Sequence, residues 1–133
     1  MAELNFDELL AKRTQREQDK TKTCKIPVPN TDDYLVAVMP SDYKIMKWMG
    51  QVRNDDAESL FEAIDDALYT CCPALQDQKL REQIGAGVPT DVVPKLFSVP
   101  ERNQMGYDLM KFVGVFRDTN IEDDEESEDI IKN

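Results

Sequence analysis

The sequence predicts a mainly α protein: a small helical bundle with a short β-hairpin on its N-terminal side, a minor α+β component, and a disordered acidic C-terminal tail. Three observations lead there. Ala57, Leu60, Phe61, Ile64, Ala67, Leu68 and Cys71 recur at i, i+3, i+4, i+7 spacing, which is the pattern of a helix with one apolar face. Between residues 22 and 39 the apolar period shortens to two. Residues 118–133 hold eight carboxylates against one base, Lys132, and so supply −7 of the formal charge of −11. Such a run repels itself and buries little, so it is expected to be a solvated, disordered appendage. The expected division is an amphipathic and basic helix over 1–21, a helical body over 22–117 with its hairpin at 22–39, and the tail at 118–133.

The first helix is expected over residues 5–20. Asn5 is a capping residue and Glu8 stands three positions later, as a capping box requires. Leu4, Phe6, Leu9 and Leu10 form an apolar cluster at its front, and every face beyond Leu10 is polar. From Lys12 to Lys25 there are six bases and two acids, a local charge of +4. A helix that is polar all round extends from a body or is marginal. The front cluster is therefore expected to dock, either on its own body or in a partner's groove, and the basic part to be mobile.

Thr23, Lys25, Ile26 and Val28 make one strand, with Pro27 placing it at an edge. Tyr34, Val36 and Val38 alternate with Leu35, Ala37 and Met39 in a second, and Pro29 to Asp33 supply turn residues between them. Two strands alone are marginal, so the hairpin has to lean on helices. Pro40 stops the second strand and Ser41 caps a helix carrying Ile45, Trp48, Met49 and Val52. Asn54-Asp55 opens the clearest helix, which Pro73 ends. Leu75, Leu80 and Ile84 mark a weaker one stopping at Gly85 or Gly87. Thr90 is the expected cap of a short helix with Val92, Val93, Leu96 and Phe97, and Pro100 the next break. Met105, Leu109, Phe112, Val113 and Phe116 form a last stripe, interrupted by Gly106 and Gly114.

Composition narrows the function. The pI near 4.4 argues against nucleic-acid binding, because phosphate backbones attract basic surfaces. No apolar run approaches the roughly 20 residues that span a bilayer, so no membrane partner is expected. Met1 to Glu8 is too acidic for a secretion signal, and three cysteines with two adjacent do not form a disulfide framework. The chain has no histidine, which removes the commonest general base and metal ligand. No catalytic residue, cofactor or metal site is expected, and the chain is not expected to be an enzyme. Glu58, Glu62, Asp65 and Asp66 fall opposite the apolar stripe and read as a solvated face. Cys71 falls on the stripe, where cysteine packs as a small apolar residue. Gly85-Ala86-Gly87 lacks the phosphate-loop pattern and reads as a helix stop. Trp48 with Met46 and Met49 is either core or an adaptable binding patch.

The order of elements, with Pro73-Ala74-Leu75, Asp91-Val92-Val93 and the terminal run from Met105-Gly106 to Phe112-Val113-Gly114, resembles the tail assembly chaperones of phages and prophages from Gram-positive bacteria. The similarity covers about residues 4–117, and Val99 to Asn103 departs from the family pattern. The resemblance implies a non-enzymatic protein of the infected or lysogenic host cytoplasm, absent from the mature virion. It implies binding to the tape measure protein, keeping it soluble and recruiting major tail protein subunits. It also implies a longer form made by frameshifting near the end of the gene, where Ile131-Lys132-Asn133 can be encoded by an A-rich run. Leu4, Phe6, Leu9, Leu10, Trp48 and Met49 are the expected partner contacts, and a homo-oligomer is compatible with them. The alternative class is an acidic DNA mimic or regulatory inhibitor that binds a basic partner through charge.

Overall fold

The structure, a computed structural model, describes residues 1–116. The expected tail at 118–133 lies outside the described residues. The fold is mainly helical with one two-stranded antiparallel hairpin.

Helix α1 runs Phe6–Asp19, and the expected capping box is present: the Glu8 amide donates to the Asn5 side chain and the Asn5 amide to the Glu8 carboxylate, both at 2.9 Å. Strands β1 (Thr23–Pro27) and β2 (Tyr34–Val38) pair with Cys24 opposite Ala37 and Ile26 opposite Leu35. That register turns Ile26 and Ala37 inward to full burial and half-buries Cys24 and Leu35. The turn between them is closed by the Val28 amide donating to the Asp33 carbonyl at 3.0 Å, with Asn30 in the left-handed region at φ +66°.

Helix α2 (Asp42–Val52) starts at Ser41, whose hydroxyl accepts the Lys44 amide. Helix α3 (Ala57–Cys71) is capped by Asp56, not by the expected Asn54-Asp55: Asp56 accepts the Ser59 amide at 2.7 Å, while Asp55 takes φ +59° in the turn before it. Pro73 ends α3 and opens a 3₁₀ turn over Pro73–Gln76, followed by α4 (Gln78–Gln83), which stops at Gly85 with φ +72°. Thr90 does not cap. It lies inside a 3₁₀ turn over Pro89–Asp91 that leads into α5 (Val92–Leu96) without a side-chain cap. Pro100 is likewise no break. It occupies the first turn of α6 (Val99–Val113), where its missing N–H costs nothing, and Ser98 with Glu101 forms a second capping box.

The core is centred on α3. Its stripe of Ala63, Ile64, Ala67, Leu68 and Cys71 is buried against α2, α5 and α6, and α6 answers with Met105, Leu109 and Met110. Each large side chain so buried contributes about 1.5–3 kcal/mol before conformational entropy offsets most of it. The hairpin leans on α6 through β1 and on the turn after α3 through β2, as its marginal stability requires. Gly106 sits where α6 crosses α3. A Cβ there would stand 2.6 Å from Ile64 Cγ2 and 2.7 Å from Cγ1, atoms of a stiff β-branched side chain. Gly106→Ala should therefore destabilise the protein by about 2 kcal/mol despite alanine's better helix propensity. Urea unfolding checks this, and adding Ile64→Ala to it should cost less than Ile64→Ala costs the wild type.

Candidate partner-binding surface

Helix α1 buries none of its residues. Its front is farthest from the body, and Phe6, at 74% exposure, and Leu9, Leu10 and the preceding Leu4 all face solvent. The front does not pack on its own body, which leaves a partner's groove as the place where it would dock. The attached end is the basic one. There Arg16 pairs with Asp42 at the start of α2, and Lys22 pairs with Asp19 at 3.1 Å. The Gln15 amide and the Lys22 ammonium beside Asp19 hold its carboxyl below the ordinary carboxylate value. The polar residues beyond Leu10 thus serve as a stalk, and the apolar tip is held away from its own core.

Two further apolar surfaces lie beside this stalk. On the outer face of the hairpin, Tyr34, Val36 and Val38 are exposed, with the Lys25 ammonium 4.7 Å from the centre of the Tyr34 ring. On α2, Tyr43 and Met46 are 74% and 70% exposed and lie one turn apart. Alternation along β2 signalled two apolar faces but not which one the body would cover. Met46 was legible as adaptable surface, whereas Tyr43 carried no signal beyond its polar neighbours.

The six expected contacts are not brought together. Leu4, Phe6, Leu9 and Leu10 are exposed on the tip, and Met49 is half-buried at the edge of the body. Trp48 is fully buried and offers no surface, a correction with a clear cause. Its indole N–H donates to Asp66 Oδ2 at 2.8 Å, which draws the ring between α2 and α3. Asp66 also accepts Thr70 Oγ1 at 3.3 Å and lies 3.4 Å and 3.5 Å from the Lys44 and Lys47 ammonium groups. Burial pushes the Asp66 carboxyl up. The indole bond and the two lysines outweigh it, and the group ends below its ordinary value.

Asp65 departs from the expected solvated face as well. It accepts Arg102 of α6 at 2.8 Å, with both side chains about 15% exposed or less, and burial raises its carboxyl above the ordinary value against the opposing pull of Arg102. Glu58 and Glu62 remain exposed. Asp65 and Asp66 are tied to structural partners, and among the described residues no three metal-ligating groups gather around one point. Burial pushes the Cys71 and Cys72 thiols up to about 12, so neither is a thiolate at neutral pH. A hollow of about 390 Å³ between α3 and α6, lined by Leu60, Ile64, Tyr107 and Phe116 among others, has no carboxylate, lysine, arginine or cysteine on its walls.

Among the described residues no helix is long and apolar enough to cross a membrane. Fold and surface together define a closed helical body that displays apolar side chains on a protruding helix, a hairpin face and the outer side of α2. No protein-family model, curated protein or solved structure matches this chain.

Proposed function

We propose that this protein is an assembly chaperone that works by binding, without catalysis, and that its client is the tape measure protein of a phage tail. In this reading it keeps that long helical rod soluble in the host cytoplasm, helps recruit major tail protein subunits, and is left behind when the tail is complete. The observation that carries the reading is where the apolar surface lies. Of thirteen large apolar side chains exposed among the described residues, ten precede residue 47, on α1 and the residues before it, the hairpin and α2. A monomeric soluble protein scatters such side chains singly, while a concentration of them marks an interaction surface. Exposed leucine, phenylalanine and methionine suit an apolar helical client, because their flexible or flat side chains adapt to many helix faces. The resemblance of the element order to that of tail assembly chaperones supports the same client.

The test is co-expression with a phage tape measure protein. The client should remain soluble and co-purify with this chain. Phe6→Asp with Leu10→Asp, both at exposed positions, should leave the fold intact and reduce client recovery at least tenfold. If the client is equally soluble without this chain, the reading fails. If the chain instead captures basic proteins and releases them at high salt, it is an acidic inhibitor.

A further inference from the structure

Two unpartnered apolar surfaces in one chain point to a second copy of that chain. We propose that the α1 tip of one copy docks on the outer hairpin face of another, and that the exchange is reciprocal about a two-fold axis. The inference goes beyond the chaperone reading and does not depend on it, since it concerns the protein with no client present.

The helix itself calls for a partner. Fourteen helical residues with none buried are marginal in water, and the apolar face that would anchor them is exposed. The area is sufficient. The four tip side chains and the three on the hairpin face are each 37–74% exposed. At roughly 100 Å² apiece they offer on the order of 700 Å² per chain, close to the about 800 Å² per partner of a specific interface.

Charge selects exchange over folding back. Helix α1 joins β1 through Lys20–Lys22 at the open end of the hairpin. Fourteen helical residues extend about 21 Å and a five-residue strand about 17 Å. Folded back on its own hairpin, the tip would carry Asp7 to the turn, beside Asp32 and Asp33, like against like. A second copy approaching in the opposite direction reverses the match. Asp7 then meets Lys22 and Lys25 at the open end, and Lys12 and Arg13 meet Asp32 and Asp33. The six helical steps from Asp7 to Arg13 span about 9 Å, near the length of strand between Lys25 and the turn. The arrangement is isologous, so one contact pattern occurs twice and closes the pair.

Sedimentation equilibrium on the purified full chain over about 1–100 μM tests this. The wild type should be a dimer. Leu9→Asp should weaken the dimer by about 100-fold or more. Asp7→Lys and Lys25→Glu should each weaken it about tenfold, because each puts like charges together. An equimolar mixture of those two variants should recover wild-type affinity, since every tip then meets a hairpin of opposite charge. That recovery arises only between chains, and circular dichroism on each variant excludes unfolding. A wild type that stays monomeric throughout, a dimer indifferent to Leu9→Asp, or a mixture no tighter than its components would overturn the proposal. A client would compete with the second copy for the same tip and hairpin faces, so a monomeric wild type overturns this proposal and leaves client capture to be judged by co-expression.

Discussion

Replacing Trp48 with alanine is expected to lower the unfolding free energy by about 4 kcal/mol, measured by urea denaturation at pH 7. Two losses combine. The ring is wholly buried between α2 and α3, so its removal leaves a cavity that the rigid helix pair closes only in part. The indole N–H also vanishes from Asp66, a half-buried carboxylate then held by Lys44, Lys47 and Thr70 alone. Trp48→Phe separates the two, keeping most of the volume and losing the donor, and should cost about 1–3 kcal/mol. The pH dependence carries a sign. The folded Asp66 carboxyl titrates below its ordinary 3.8, so its contribution is present above that value and is lost as pH falls through the lower folded one. The Trp48 bond is the largest of the influences that lower it. The gap between wild type and Trp48→Ala should therefore narrow below pH 3.8. A gap constant down to pH 2 would mean that packing alone holds the ring.

Trp48 also marks the boundary of what the sequence makes legible. Single-element signals translated well. The α3 stripe, the Asn5-Glu8 and Ser41 caps, the stop at Gly85 and the hairpin turn each depend on residues within one or two turns of chain, and they appear where expected. Apart from the misplaced caps at Asn54-Asp55 and Thr90 and the break at Pro100, errors arose where two elements meet. Asp65 and Asp66 lie beside the stripe rather than within it, so a helical wheel assigns them to solvent. Their burial is imposed by Trp48, Lys44 and Lys47 from α2 and by Arg102 from α6, which no period along α3 encodes. The hairpin failed to declare its inner face because both sides of β2 are apolar. The tip of α1 was expected to dock because amphipathic helices usually do, and nothing local records that its own body presents no matching groove. Pro100 shows the converse: a proline two residues past a serine begins a helix as readily as it breaks one.

Exchange of Arg102 for methionine should cost about 3 kcal/mol at pH 7, and less at pH 5. Arg102 and Asp65 are 13% and 15% exposed, and the guanidinium also lies 5.3 Å from the centre of the Phe61 ring. Methionine fills much of the volume, so the loss is chiefly that of a counter-charge. Arg102 Nε and Asp65 Oδ1 have no hydrogen-bond partner among the described residues, so the pair is already under-compensated. Burial holds the folded Asp65 carboxyl above its ordinary value even beside Arg102. A raised folded value favours the folded state at low pH, with that stability lost as pH rises through it. Without the guanidinium the value rises further, so protonation of Asp65 favours the folded variant more than the folded wild type as pH falls. The variant should therefore gain stability relative to wild type between pH 7 and pH 5. Adding Asp65→Leu to Arg102→Met should recover most of the loss at pH 7 and abolish the difference between the two pH values, because an apolar pair of similar size needs no compensation. If the double variant is no more stable than Arg102→Met, the cost lies in the lost stacking on Phe61. Such a result would make α6 dock on α3 through its aromatic and aliphatic face, with the ion pair incidental to it.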